Sequence, residues 1–509
     1  MHLSMLLDMA AEGFADRVVL GPADSGPTAG RLRELADAGA ASIGDADALI
    51  HLAVNGPALP VALFAAARAG VPLIPLNYRL GADQLATLLA HHPRALVIAG
   101  PDHDEAPRRA GLRVTTPQEW LDAPPAPAPP GQGDLDSSAA PVLPGQGGPD
   151  SPAVLIYTSG TTSTPKAVVL RHRNLVSYVL GTVEFAAAGP EEAALVSVPP
   201  YHIAAVAGVL TNLYAGRRAL TLERFTADGW LRLVREQGIT HAMVVPTMLA
   251  RIMDAEGLDR SVPALRALSY GGARMPARVV EAALRAWPDV DFAGAYGLTE
   301  TSSTITVLGP REHRTALDAD DPAVRSRLGS AGLPVPGVEL EVRDASGTVL
   351  GAGEKGEIWV RGEQVSGEYA GQGAATDERG FFPTRDRGHL DGGGYLHIEG
   401  RADDTIIRGA ENIAPAEIED VLLRHPDVLD AVVVGVPDDE WGQRIEAVVV
   451  LRAGAAADGD GLRDAVRAVL RGSRTPDRIV CWPELPRTAT GKLVRREIVE
   501  ALAGEGEAR

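Results

Sequence analysis

The chain has 509 residues, 45% of them hydrophobic and 23% charged. That length exceeds one ordinary domain and predicts two or three, each with a sizeable core. Its 48 basic and 67 acidic residues leave a net charge of −19, which repels nucleic acid and anionic membrane surfaces and argues against both as partners. The same surface repels free nucleotides, so any nucleotide site requires a local exception. A single cysteine, Cys481, excludes an internal disulfide framework and a thiolate cluster.

At the N-terminus, MHLSMLLDMAAEGFADR has no basic lead before its short apolar run and makes a poor secretory signal. No apolar run reaches the roughly 18 residues of a membrane span. A soluble, cytoplasmic protein is expected. Further along, ALIHLAV (48–54), PALPVALFAAARAG (57–70), VPLIPLN (71–77), DQLATLLAHH (83–92) and ALVIAG (95–100) alternate between β-branched runs and segments of helical period. Strand–helix repetition of this kind predicts an α/β fold with largely parallel sheets. Residues 121–150 are Pro/Gly-rich with few large apolar groups, and read as a mobile connection.

Next comes YTSGTTSTPKAVVL (157–170). Six hydroxyl residues, Thr158, Ser159, Thr161, Thr162, Ser163 and Thr164, surround Gly160, and Lys166 follows. Inward-pointing amides and hydroxyls make an anion nest, and the lysine adds a point charge for phosphate. An ordinary polar turn between strands has the same composition. This is not the common P-loop, because no GK[ST] follows the glycine. GAGEKG (351–356) matches GxGxxG formally, but it lies between two strands and reads as a hairpin turn. From about 330 to 402 the pattern predicts a small β subdomain, in which VELEVRDASGTVLGAGEKGEIWVRG reads as strands joined by glycine turns. After GRADD (400–404), APAEIEDVLLRH reads as a helix and VLDAVVVGVPD and IEAVVVLRAG as strands, which predicts a compact α+β domain. The expected division is 1–402 and 403–509.

Four more segments follow the hydroxyl loop in order: SYGGARMP (269–276), AYGLTET (295–301), TRDRGHLDGGGYLHIEGRADD (384–404) and PRTATGK (486–492). With the loop, they resemble the adenylate-forming superfamily of acyl-CoA synthetases, luciferases and peptide-synthetase adenylation domains. The resemblance runs from about residue 45 to 500. It implies a large N-terminal domain of two α/β subdomains plus a β-barrel-like subdomain, and a mobile C-terminal domain. It implies two half-reactions as well. A carboxylate attacks the α-phosphate of ATP to give acyl-AMP and pyrophosphate, then a thiol, usually that of CoA, displaces AMP. Bringing two anions together makes catalysis largely positioning and charge neutralisation.

The resemblance also assigns roles. Thr158, Ser159, Gly160, Thr161, Thr162 and Lys166 would cradle the β- and γ-phosphates. Ala295, Tyr296 and Gly297 would border adenine, with Gly272, Ala273 and Arg274 on the other side, and Thr299 would donate to the α-phosphate. Glu300, with Thr161, would hold Mg²⁺, a hard cation that prefers oxygen. Asp386 would accept both ribose hydroxyls, with Arg401 a second ribose contact. Lys492 would neutralise the forming carboxylate–phosphate pair. Asp403 matches the hinge about which the small domain rotates between half-reactions.

In the acyl segment PPYHIAAVAGVL (199–210), read as a strand end, His202 takes the place of the gate near the carboxylate. The acyl pocket is expected from Tyr201, His202, Ala205, Val206, Tyr270, Gly271, Gly294 and Leu298. No aspartate suited to an α-ammonium appears nearby, which disfavours amino acids. Ala204, Ala205, Ala207 and Gly208 are small, so a bulky or long hydrophobic acid is expected, a fatty or secondary-metabolite acid.

The sequence departs from the family pattern at five places, one of them Arg274, which stands for a commoner proline. Ser163 and Ala167 stand for glycines in the phosphate loop, and Arg385 stands for the glycine of the usual TGD. Ala410, beside Gly409 on the expected CoA path, replaces a glycine and would narrow the thiol approach. An adenylation-only enzyme that passes acyl-AMP to a thioester-forming partner or carrier protein is therefore the alternative to a complete ligase. A binding module that has lost activity, and a luciferase-like oxygenase, are further classes, neither favoured by the residues present. The oligomeric state, a homodimer included, is left open.

Overall fold

The computed structural model describes residues 1–122, 147–158, 166–408, 411–438, 441–470, 472–488 and 493–507. Most of the expected mobile connection therefore lies outside the described residues.

Two large sheets dominate the N-terminal part. The first has eight strands, with Leu49–Leu52, Leu73–Pro75, Leu96–Ala99 and Arg113–Thr115 pairing in parallel. The second has seven, with Ala193–Val196, Arg218–Thr221, His241–Val244, Ala267–Gly271 and Asp291–Leu298 parallel in the same way. The five segments read between 48 and 100 all form as expected. Helix Ala58–Ala69 is buried along almost its whole length. That matches its continuous apolar sequence, which leaves no polar face for water. The N-terminal run also forms a helix, Leu3–Gly13, with Leu3, Leu6, Leu7 and Ala10 at 1% exposure or less. One hydrophobic cluster runs from Val154 and Val168 of the first sheet, through these helices, to Val196 and Ala219 of the second. The helices are thus the filling between two sheets, an α/β architecture.

The β subdomain appears as a four-stranded antiparallel sheet of Glu339–Arg343, Gly356–Arg361, Phe382–Leu390 and Leu396–Arg401. GAGEKG lies between the first two of these strands, as expected. Part of the 330–402 region goes elsewhere. Leu333–Pro334 joins the seven-stranded sheet, and Glu368–Tyr369 with Gly373–Ala374 completes the edge of the eight-stranded one.

In the C-terminal part, Val428–Asp438, Gly442–Leu451 and Arg478–Cys481 form a three-stranded sheet. Its apolar run is unbroken because both faces are covered. Val433, Ile445 and Val449 face one cluster with helices Pro415–Arg424 and Gly459–Val469, and Val432, Val434 and Val448 face another with helix Arg495–Glu507. Asp403 sits in a single 3₁₀ turn, Ala402–Asp404, between the two parts.

Candidate active site

The strands that flank the hydroxyl loop, Pro152–Thr158 and Lys166–Arg171, pair antiparallel. Thr158 and Lys166 are cross-strand partners, and the Thr158 hydroxyl donates to the Lys166 carbonyl at 3.4 Å. Ser159, Gly160, Thr161 and Thr162 lie outside the described residues, as do Gly409, Ala410 and Lys492.

AYGLTET ends strand Asp291–Leu298 and opens a 3₁₀ turn, Thr299–Thr301. Gly297 is required there, since a Cβ would come within 1.7 Å of the Ser303 carbonyl oxygen. Ser302 and Ser303 follow at φ +57° and +109°, left-handed backbone that costs non-glycine residues about 1–3 kcal/mol each. Buried Thr301 and Gln364 brace the turn. The Thr301 hydroxyl donates to the Ser303 carbonyl at 2.8 Å, and Gln364 Nε2 donates to the Thr301 and Thr304 carbonyls at 3.2 and 2.8 Å. Strain stored beside Thr299 and Glu300 is what a preorganised site requires. The Glu300 carboxylate accepts from Tyr369 Oη at 2.8 Å.

Asp386 lies across from Arg401 in antiparallel register. Its carboxylate accepts from Tyr296 Oη at 2.6 Å and pairs with Arg401 Nε at 3.1 Å. Arg401 Nη1 also donates to the Thr384 carbonyl at 2.9 Å. Burial, with the Asp386 charge beside it, pushes the Tyr296 hydroxyl well above its usual range. Tyr296 therefore stays protonated and stays a donor. Three residues expected around the nucleoside thus come together, from strands 90 positions apart.

Lys166, Arg385 and Arg401 supply positive charge around Tyr369 and Glu300, the local exception that the acidic surface demands. Arg385 is exposed at φ +61°, which explains the glycine usual at that place.

Gly272 is left-handed, at φ +84°. Gly271 is required by the neighbouring strand, because a Cβ there would lie 2.6 Å from the Ala295 carbonyl oxygen. Arg274, expected beside the nucleotide, is exposed. Its guanidinium reaches the C-terminal part, donating to the Ala416 carbonyl at 3.2 Å and pairing with the Asp420 carboxylate. Ala273 is exposed.

The acyl segment requires a correction. Residues 199–210 are not a strand end, because helix Ile203–Ala215 begins directly after His202, its N-cap residue. Nearly every residue of that run is apolar, so no helical period showed. Ala205 and Val206, at 1% exposure or less, pack into the cluster between the sheets. Tyr270 is turned to His313, with Oη and Nε2 2.8 Å apart, and Gly294 makes room for that ring. Burial pushes the Tyr201 hydroxyl up to about 12, and its ring lies 4.8 Å from His202. His202 and Leu298 are half-buried.

Among the described residues no three His, Cys, Asp or Glu side chains gather as a metal site. The Glu300 carboxylate has one oxygen taken by Tyr369, and its second oxygen is without a hydrogen-bond partner among the described residues. One protein carboxylate, with water and substrate phosphate completing the shell, is a donor set that suits Mg²⁺.

A family model described as AMP-binding enzyme matches residues 10–370, and its C-terminal domain model matches residues 417–492. The chain belongs to this family. A feruloyl-CoA synthase of Amycolatopsis sp is 34% identical over 469 residues, covering 90% of this chain and 89% of that one. A fatty acid–[acyl-carrier-protein] ligase of Streptomyces coeruleorubidus is 32% identical over 489 residues, covering 92% and 89%. Among solved structures, the o-succinylbenzoate CoA synthetase of Bacillus subtilis, in complex with its acyl-adenylate intermediate, matches with a TM-score of 0.81 and 26% identity over 97% of both chains.

Sequence reasoning missed Tyr369, Thr384 and Gln364. Tyr369 meets Glu300 from 69 positions away, and no local pattern in GEYAGQ points to that meeting.

Proposed function

We propose that the chain activates a hydrophobic, bulky or long carboxylic acid. It is an AMP-forming acid–CoA ligase: the carboxylate attacks the α-phosphate of ATP to give acyl-AMP and pyrophosphate, and the CoA thiol then displaces AMP. The observation that carries this is the junction of Asp386 and Arg401 with Tyr296, whose strand, Asp291–Leu298, leads directly into Thr299 and Glu300. The two relatives that take an aromatic acid, feruloyl and o-succinylbenzoyl, support a bulky substrate.

The residues divide the work. Tyr296 and Arg401 orient the Asp386 carboxylate, the group proposed to accept from the ribose hydroxyls. Thr158 and Lys166 hold the ends of the loop that takes the β- and γ-phosphates. Thr299 donates to the α-phosphate. Glu300 and Thr161 would hold Mg²⁺, which when bound neutralises phosphate charge. Lys492 offsets the charge of the approaching carboxylate and α-phosphate, the largest electrostatic need of the step. Residues 1–402 and 403–509 act as separate bodies, with Asp403 as the hinge. The fatty acid–carrier-protein ligase supports a second reading, in which a carrier thiol replaces CoA. Use of ATP and CoA fits a cytoplasmic location.

The test is to incubate the protein with ATP, Mg²⁺, CoA and a panel of hydrophobic acids, following products by mass spectrometry. Acyl-CoA formation is expected. Acyl-AMP accumulating without acyl-CoA would favour the carrier reading, and acetate as best substrate would remove the bulky-acid assignment. Lys492→Ala is expected to abolish pyrophosphate release while the protein stays folded. Unchanged release would take Lys492 out of the mechanism.

A further inference from the structure

We propose that Tyr369 is a positioning residue that presents Glu300 to the cation and ties it to the phosphate hairpin. The proposal rests on the reading of Glu300 given above.

Tyr369 joins two parts of the site that the chain encodes far apart. Its hydroxyl donates to Glu300 Oε1 at 2.8 Å, which leaves Oε2 for a metal. Its backbone pairs with Val168 on the exit strand of the phosphate hairpin, and the next amide, Ala370, donates to the Ala167 carbonyl at 2.9 Å. Lys166, the first residue of that strand, holds its ammonium over the Tyr369 ring at 5.5 Å. The segment before it clamps the Glu300 backbone as well: the Ser366 and Gly367 amides donate to the Glu300 carbonyl at 2.9 and 3.1 Å.

Each contact has a physical consequence. A half-buried carboxylate with a free side-chain torsion loses rotamer entropy when it binds a cation. Fixing one oxygen by hydrogen bond removes part of that loss beforehand, as outer partners of metal ligands do. A phenol hydroxyl carries its proton at neutral pH, so the group is a donor there. The ring accepts Lys166 through its face, so one side chain orients both an anion for the metal and a cation for phosphate.

The test uses the full chain and the unreactive analogue α,β-methylene-ATP, with Mg²⁺ affinity read by calorimetry. Tyr369→Phe keeps the ring and the strand and removes only the hydroxyl. Its Mg²⁺ affinity is expected to fall about tenfold, with the analogue's affinity in EDTA and the melting temperature both unchanged. Tyr369→Leu is expected to weaken analogue binding in EDTA too, because Lys166 loses its platform. Glu300→Gln is the reference. If Glu300→Gln loses Mg²⁺ affinity and Tyr369→Phe does not, the proposal is overturned while the reading of Glu300 stands. If Glu300→Gln itself has no effect, that reading fails and takes the proposal with it.

Discussion

Arg385 adopts φ +61° directly before the buried Asp386. Left-handed backbone costs a residue with a Cβ roughly 1–2 kcal/mol. Glycine would relieve that strain, but it adds freedom to the unfolded chain worth about 0.4–1 kcal/mol. The relief is the larger effect. Arg385→Gly is therefore expected to raise stability by roughly 0–1.5 kcal/mol in urea unfolding. The exposed guanidinium adds positive charge near an acceptor of anions, so the KM for ATP is expected to rise roughly two- to threefold and to do so less at high salt. A KM independent of both substitution and salt would place this arginine in solvent with no role. The departure from TGD was visible in sequence. Its backbone cause was not, because φ is set by the register of strands Phe382–Leu390 and Leu396–Arg401, which shifts between Arg387 and Gly388.

Among the elements, helix Ile203–Ala215 separates what sequence could yield from what it could not. Its C-terminal stop was legible: Gly216 ends it at φ +74°, as a left-handed cap does. Its body was not, because an all-round apolar run has the same composition as a buried strand. The nucleotide-side motifs were legible for a different reason. AYGLTET runs from a strand end into a turn, and TRD holds a left-handed residue inside a strand, so backbone geometry and polar partners restrict the residue types at both. The acyl side consists of packed alanines that carry no such signature. Ala205→Leu adds bulk to a site at 1% exposure, so it is expected to destabilise the chain by about 1–3 kcal/mol, read as a fall in denaturation midpoint. If the variant instead keeps its stability and changes preference toward shorter acids, Ala205 lines the acyl pocket rather than the core.

On the scale of the whole molecule, the two parts meet through a short row of charges. Arg274 joins Asp420 and the Ala416 carbonyl. Arg278 Nη2 donates to the Leu429 carbonyl at 3.1 Å, and its Nη1 lies 3.3 Å from Asp254. Arg452 lies 3.9 Å from the same carboxylate. Side chains this exposed contribute under about 1 kcal/mol apiece, enough to bias an orientation and too little to lock it. If the small domain rotates about Asp403, Arg274→Ala weakens one orientation and leaves the other untouched. Single-turnover pyrophosphate release and acyl-AMP consumption are then expected to change in opposite directions by a few-fold, and the double exchange Arg274→Asp with Asp420→Arg is expected to restore the balance. Parallel losses in both steps, with weaker ATP binding, would return Arg274 to the nucleotide rim.

The edge of the eight-stranded sheet has a consequence for how the protein is made. Strand Lys166–Arg171 is covered by Glu368–Tyr369, and the Arg171–Glu368 ion pair at 2.7 Å clips the two together across 197 positions of sequence. A ribosome adding about 5–20 residues per second takes roughly 10–40 s to deliver that cover. Through that interval the nascent hairpin carries an open, β-branched edge, the kind that pairs with a neighbouring chain. The residues that aim Glu300 therefore also shield the newborn sheet, so any truncation ahead of residue 368 leaves a translation product with an adhesive border.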